Sequence, residues 1–304
     1  MTDTPALPDL DRVLGFTLPT RHARGRIVRL GPVLDTILAA HAYPPPIEAL
    51  LAEALTLTAL LGSLLKDAAG QLTLQAQTTG GIVSLLVCDY QDGQLRGYVQ
   101  HDAERLAEVA DAPSLFALFG TGHLAITFDQ KTSGERYQGI VPLDGNSLAE
   151  AAESYFLQSE QIPSLIRLGS THEAGAGCVA GGLFLQHLPE GEDGRERLHT
   201  RLDHPEWEHV AALAGTMGLE ELADRAIPLE TLVWRLFNEE DEVRILPGTA
   251  LTKGCRCDGT YIAQVLAKFP PEERAEMADE DGVIFVDCAF CSTKFPIPLD
   301  GIVS

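Results

Sequence analysis

Six cysteines are spread over the 304-residue chain, and four of them form two tight pairs near its end. Cys255 and Cys257 are separated by one residue and Cys288 and Cys291 by two, with 30 residues between the pairs. Each pair has its own turn sequence, Gly254-Cys255-Arg256-Cys257-Asp258-Gly259 and Asp287-Cys288-Ala289-Phe290-Cys291-Ser292. Two such turns can each present two sulfurs to a common point, which is what a tetrahedral metal site requires. All nine histidines lie at or before His209, so this region offers cysteine as its only soft ligand. Thiolates suit zinc (Zn2+) best and an iron–sulfur cluster second. Four unrelated free cysteines would leave the matched spacings without a reason.

Charge narrows the partners. The net charge is −22, so binding a nucleic-acid backbone or an anionic membrane would work against electrostatics. The nearest approach to a membrane span is the twelve-residue apolar run Ala54 to Leu65, better suited to a buried helix. Met1 to Arg12 has no apolar signal core, and the expected location is the cytosol. There, paired cysteines more often bind metal or respond to redox conditions than form lasting disulfides.

Three regions emerge from patterning. Residues 1–188 interleave helices and strands without a βαβ repeat, which predicts an α+β core domain of mixed sheet and helix. Within it, Arg24 to Leu30 reads as an edge strand, mixing basic and apolar residues. Ile47 to Lys66 reads as a long helix apolar on most of its circumference. Strands are expected near Leu72–Gln75, Ile82–Val87, Leu95–Val99, His123–Phe128 and Arg136–Val141, with Leu165–Leu168 and Val179–Leu188 closing the same sheet. Ser147-Leu148-Ala149-Glu150 matches a capping box.

Residues 189–244 read as an acidic helical linker of limited stability, with a solvated helical face as the other reading. From Pro189 through Glu242 there are 15 acidic and 5 basic residues, a net of −10. Helical patches at Trp207–Met217 and Leu229–Phe237 alternate with like-charge runs, and self-repulsion at this density opposes tight packing. Residues 245–304 form a small zinc-binding module, with short helices at Tyr261–Phe269 and Glu272–Met277 and a strand at Val283–Val286. Its apolar content is low for an independent core. Metal at four thiolates can contribute an apparent ~10–16 kcal/mol, making its folding nearly conditional on the metal.

Other candidate sites are weak. Ser63-Leu64-Leu65-Lys66 matches a serine-nucleophile pattern but lacks the companion motifs; Lys131-Thr132-Ser133 misses one of them by a residue. No phosphate-binding loop supports an ATP-driven mechanism. Cys88 and Cys178 sit in apolar strand contexts and read as inert core thiols. His41, before Tyr43-Pro44, is placed to bond within its own turn and is assigned no chemistry.

The chain resembles heat-shock protein 33, a family of redox-regulated bacterial holdase chaperones. Cys255, Cys257, Cys288 and Cys291 meet its end-of-chain pattern. Further blocks support the resemblance: Gly139 to Gly145, Tyr155-Phe156, Ser159 to Gln161, Gly181 to Gln186, Arg235 to Glu240, His41-x-Tyr43-Pro44 and Leu65-Lys66. It spans about Arg24 to Phe295. Phe295 departs from the family, which often has an aromatic hydroxyl there, and Asp258-Gly259-Thr260 replaces a more basic run.

This resemblance implies a core domain, a metastable linker and a C-terminal zinc switch. By similarity, Cys255, Cys257, Cys288 and Cys291 are both metal ligands and redox switch. One zinc is held when they are reduced, and oxidation pairs Cys255 with Cys257 and Cys288 with Cys291 and releases it. The implied function is an ATP-independent holdase for unfolded client proteins, not an enzyme, and a homodimer when active. A thiol–disulfide oxidoreductase using Cys288-x-x-Cys291 and a non-switching zinc adaptor are the alternatives.

Overall fold

The computed structural model describes residues 10–65, 67, 69–109, 113–143, 145–173, 177–188 and 204–302. Lys66, Asp144 and the start of the acidic segment, 189–203, lie outside the described residues. In chain order the elements are β1 (Arg12–Leu18), β2 (Ala23–Leu30), α1 (Pro32–Leu38), α2 (Pro45–Gly62), β3 (Gln71–Thr79), β4 (Val83–Gln91) and β5 (Gln94–His101). Next come α3 (Ala103–Leu106), α4 (Leu115–Phe119), β6 (Thr121–Gln130), β7 (Glu135–Pro142), α5 (Leu148–Tyr155), β8 (Ser164–Glu173) and β9 (Gly177–His187). The acidic segment holds α6 (Pro205–Gly215), α7 (Leu219–Ala223) and α8 (Leu229–Phe237). The chain continues with β10 (Arg244–Ile245), β11 (Thr249–Ala250), β12 (Thr252–Lys253), α9 (Gly259–Leu266), α10 (Pro271–Met277), β13 (Val283–Asp287) and β14 (Lys294–Pro298).

The expected α+β class holds, but the strands form two large sheets rather than one. The first has the order β10-β1-β2-β9-β8, with β11 also on β1; the second runs β12-β5-β4-β3-β6-β7. Helix α2 lies between them, packing on β2, β8 and β9 and also on β3, β4 and β5. That position explains its apolar circumference: a helix covered on all sides has no solvent face. By length and composition alone α2 could cross a membrane, yet 72% of it is buried inside the fold.

Strand β2 is central, not an edge. It pairs with β1 on one side and β9 on the other. Its basic residues misled because they are satisfied internally. Arg24 donates to Gln186 Oε1, and Arg29, fully buried, donates to the carbonyls of Leu222 (2.8 Å) and Ile227 (2.7 Å). Strand β1 escaped the sequence reading because both its faces are covered, which blurs the polar–apolar alternation. Val13 faces the core with α2, whereas Leu14, Phe16 and Leu18 face the other way.

That second face carries a second core. Trp207, Val210, Ala214, Met217, Leu222, Leu229, Leu232, Val233 and Phe237 from α6–α8 pack on Leu14, Phe16, Leu18, Ile27, Leu183 and Leu185 of β1, β2 and β9. The like-charge density of the segment therefore does not keep it from packing. Arginines of the β1–β2 hairpin neutralise it locally: Arg12 binds Glu230 at 2.7 Å, and Arg21 binds Glu206 and Glu240 at 2.6 Å each. Gly181 and Gly169, paired across β9 and β8, let the backbone of α7 approach. A Cβ at Gly181 would lie 2.1 Å from the Leu222 carbonyl oxygen, and one at Gly169 would lie 2.4 Å from that of Leu219.

The capping box at α5 is partly shifted. Ser147 Oγ accepts from the Glu150 amide at 3.2 Å, but Glu150 Oε2 accepts from the Asn146 amide rather than from Ser147. Ser63 Oγ donates to the Leu60 carbonyl at 2.7 Å, a helix-end bond and not the geometry of a nucleophile.

Candidate metal centre

The Cys-x-Cys turn begins where β12 runs alongside β5. Thr252 and Lys253 pair in parallel with Gln94 and Leu95, and the Gly254 amide donates to the Leu95 carbonyl at 2.9 Å. Glycine is favoured there, because a Cβ at residue 254 would lie 2.5 Å from Gln94 Cβ. After Cys257 the chain turns into α9, whose first amides are capped by Asp258 accepting from Thr260 at 2.9 Å.

The Cys-x-x-Cys turn closes the β13–β14 hairpin. The Cys288 amide donates to Thr293 O at 2.9 Å and the Ser292 amide to Cys288 O at 2.8 Å; Ser292 takes a left-handed φ of 54°. Behind both turns is a small core of Leu266, Ile284, Ile297 and Ile302, with Phe295 packed against it. Phenylalanine at 295 keeps this packing, and the ring also meets Gly259 at the start of α9.

All four thiols are reduced and half-buried. Their sulfurs lie within 4.8 Å of one another, with Cys255–Cys288 and Cys257–Cys291 at 3.6 Å. A tetrahedron with metal–sulfur bonds of ~2.3 Å has edges of about 3.8 Å. The cluster therefore fits a single metal ion, with each edge of closest approach joining one turn to the other.

The thiols differ in environment. Burial pushes Cys288 up, with the amides of Phe290 and Cys291 partly offsetting it. Cys257 is also raised, by burial and by the thiols of Cys255 and Cys291. At Cys291 burial is outweighed by the Thr293 hydroxyl and amide and the neighbouring thiols, which hold it at about 6. Cys88 and Cys178 are buried in the core, and burial raises both, Cys178 to about 11. Neither approaches the cluster, as expected of core thiols.

Residues between and around the cysteines grip the core domain, which sequence reasoning missed. Arg256 donates to Gln71 Oε1 at 2.9 Å and to Gln91 Oε1, and reaches Asp89 Oδ2 at 3.3 Å. The Phe290 ring meets the Tyr98 ring edge-on at 4.9 Å and lies 4.0 Å beneath the Arg96 guanidinium. His41, expected to bond within its turn, reaches across instead. Its Nε2 lies 3.3 Å from the Phe290 carbonyl and its Nδ1 3.3 Å from Ser292 Oγ. Its ring stacks on Tyr43, whose hydroxyl bonds Val99. The His41-x-Tyr43-Pro44 block was the visible signal, but no local periodicity could say what it touches.

The sequence matches the Hsp33 protein family over residues 11–298. It is 41% identical over 306 residues to the 33 kDa chaperonin of Caulobacter vibrioides (strain NA1000 / CB15N), covering 98% of each chain. The 33 kDa chaperonin of Pseudomonas putida (strain GB-1) is 37% identical over 292 residues, covering 95% of this chain and 91% of that protein. The crystal structure of the 33 kDa chaperonin from Thermotoga maritima, a heat shock protein 33 homologue, superposes with a TM-score of 0.76 at 22% identity, covering 96% of both chains. That structure supports the fold, and the matched sequence supports the kinship: the chain belongs to the Hsp33 protein family.

Proposed function

We propose that this protein is a redox-regulated, ATP-independent holdase chaperone that binds unfolding client proteins when its C-terminal thiols are oxidised. The observation that carries the reading is the convergence of four reduced sulfurs from two turns 30 residues apart to within 4.8 Å. Relatives matched over nearly the whole length are named 33 kDa chaperonin.

Zinc, when bound, would keep the sulfurs as thiolates and tie the two turns together. Cys255, Cys257, Cys288 and Cys291 are the ligands. On oxidation by peroxide each pair gives up two electrons and forms one S–S bond; the peroxide takes those electrons and two protons and leaves as two waters. Pairing within each turn, Cys255 with Cys257 and Cys288 with Cys291, leaves no covalent link between the turns. A disulfide that spans two or three positions closes too small a loop to restrain the module. The within-turn pairing is what the family resemblance implies; pairing across the turns would instead preserve the clamp.

Loss of the clamp frees a module whose own core is four buried side chains, and leaves the linker helices without an ordered anchor at their C-terminal end. Their release would uncover Leu14, Phe16, Leu18, Ile27, Leu183 and Leu185, an apolar sheet face suited to unfolded chains. The net charge of −22 would keep the complexes dispersed. The active species is a homodimer working in the cytosol on this reading, with no nucleotide, nucleic acid or membrane required. The oxidoreductase alternative is disfavoured by place: Cys288 and Cys291 sit in a hairpin turn rather than at a helix start, where such thiols are activated.

The test is zinc content and free-thiol count before and after peroxide at mildly raised temperature, alongside light scattering of a heat-denatured client. The expected result is loss of one zinc and four thiols with gain of aggregation suppression. Oxidised protein that suppresses aggregation no better than reduced protein overturns the holdase reading, and turnover in an insulin-reduction assay favours the oxidoreductase.

A further inference from the structure

We propose that Arg256 and Phe290, the residues enclosed by the two cysteine pairs, are the docking residues that hold the C-terminal module on the core domain, and that Asp89, Arg96 and Tyr98 of β4 and β5 are their receptor. Arg256 sits between Cys255 and Cys257, and Phe290 between Cys288 and Cys291. Neither supplies a sulfur, yet both point away from the cluster onto the same small patch of the core.

The patch has one hub. Asp89 is buried on β4, with its side chain 4% exposed, and it accepts from Thr73 Oγ1 at 2.7 Å and from Arg96 Nε at 2.7 Å. The same Oδ2 lies 3.3 Å from Arg256 Nη2. Arg96, fixed by Asp89, spreads its guanidinium over Phe290 at 4.0 Å, while Tyr98 meets the ring edge-on at 4.9 Å. One carboxylate therefore links the seats of both docking residues, alongside the Gln71 and Gln91 bonds for Arg256 and through Arg96 for Phe290. A cation held over an aromatic face and partly shielded from water is a directional contact, lost when the ring is re-aimed.

The position of these residues inside the turns makes the contact conditional. The turn geometry that brings each pair of sulfurs to the cluster also sets where Arg256 and Phe290 point. A change of sulfur partners within a turn would re-aim its enclosed residue and withdraw it from the receptor. Docking is otherwise carried by the short β12–β5 pairing, by Lys253 on the Thr36 carbonyl at 3.4 Å and by the two His41 bonds at 3.3 Å. The regulatory meaning of this latch rests on the redox reading above; the docking itself does not.

The test uses the full-length reduced protein loaded with zinc, without oxidant or client. Amide hydrogen exchange is tracked over residues 250–257, where the Thr252 and Gly254 amides bond to Gly93 and Leu95. Phe290→Ala, Arg256→Ala and, on the core side, Tyr98→Ala are each expected to retain one zinc and to exchange roughly fivefold faster or more there, as loss of one cation–π or charged contact predicts. Phe290→Tyr should restore the wild-type rate. The double variant Phe290→Ala/Tyr98→Ala should be no faster than Phe290→Ala alone, because Tyr98 acts on the module through that ring. Unchanged exchange in Tyr98→Ala, or fully additive effects in the double variant, overturns the proposal. Tyr98 lies on β5 and outside both cysteine turns, so this arm decides the matter even if Phe290→Ala loses metal. A failed client assay would sink the holdase reading and leave this result standing.

Discussion

Arg29 shows how one residue can fix the linker. It is fully buried and its guanidinium donates to the Leu222 and Ile227 carbonyls, with Glu221 O at 3.4 Å. These are carbonyls at the end of α7 and just beyond it, which the short helix cannot satisfy itself. Arg29→Met should destabilise the protein by about 2–4 kcal/mol by leaving buried acceptors unpaired, measured by urea denaturation with exchange localised to 219–228. Glycine gives a second contrast. Gly181→Ala puts a methyl against the Leu222 carbonyl and should cost about 1–3 kcal/mol through overpacking. Gly215→Ala, at the end of α6 with nothing within 4 Å, should instead stabilise by about 0.4–1 kcal/mol. Melting curves of the two variants should shift in opposite directions.

At the scale of elements, α6, α7 and α8 are held to β1 and β2 by apolar packing and by charge. Glu240, just past α8, is the most buried acid of this set, with its side chain 3% exposed. Burial alone would raise its pKa, but bonds from Arg21 and His209 outweigh burial and hold it below the ordinary glutamate value. Glu206 shares Arg21 and is lowered by it too. A carboxylate with a depressed folded-state pKa stabilises fully above its unfolded value and loses that contribution as pH falls through the folded one. The carboxylate contribution to linker docking should therefore be fully present at neutrality and be lost as pH falls below the ordinary glutamate range. Glu240→Gln should flatten that acid limb in a pH series of linker protease sensitivity.

For the whole molecule, two packed bodies of very different size meet at one seam. Among the described residues, the core domain and docked linker bury dozens of apolar side chains in two clusters, whereas the chain from 255 onward buries four. Removing metal from the reduced protein with a chelator should therefore unfold residues from about 255 onward and loosen the short strands β10, β11 and β12, while β1 to β9 stay paired. Hydrogen exchange resolved along the chain checks this, and a module that stays protected without metal would count against its metal dependence. Thiol titration offers a parallel check: with metal removed, four cysteines should react quickly and Cys88 and Cys178 only after denaturation, since burial raises both.

Spacing along the chain carried the sulfur cluster, because two cysteines one or two residues apart must share a turn whatever the rest of the fold does. It also carried the buried helix α2, the strand positions from β3 to β7 and the helices α6 and α8, each set by local periodicity. Tertiary structure decided that the strands split into two sheets around α2, that β2 is central and that the acidic helices pack down. It also decided that His41 meets the C-terminal module, and Arg256 and Phe290 the core domain, across 165 to 251 residues of chain. Those outcomes depend on arginine–carboxylate pairs, glycine clearances and ring contacts between distant segments. A charge or a glycine in sequence does not reveal its partner, so only the folded chain could supply it.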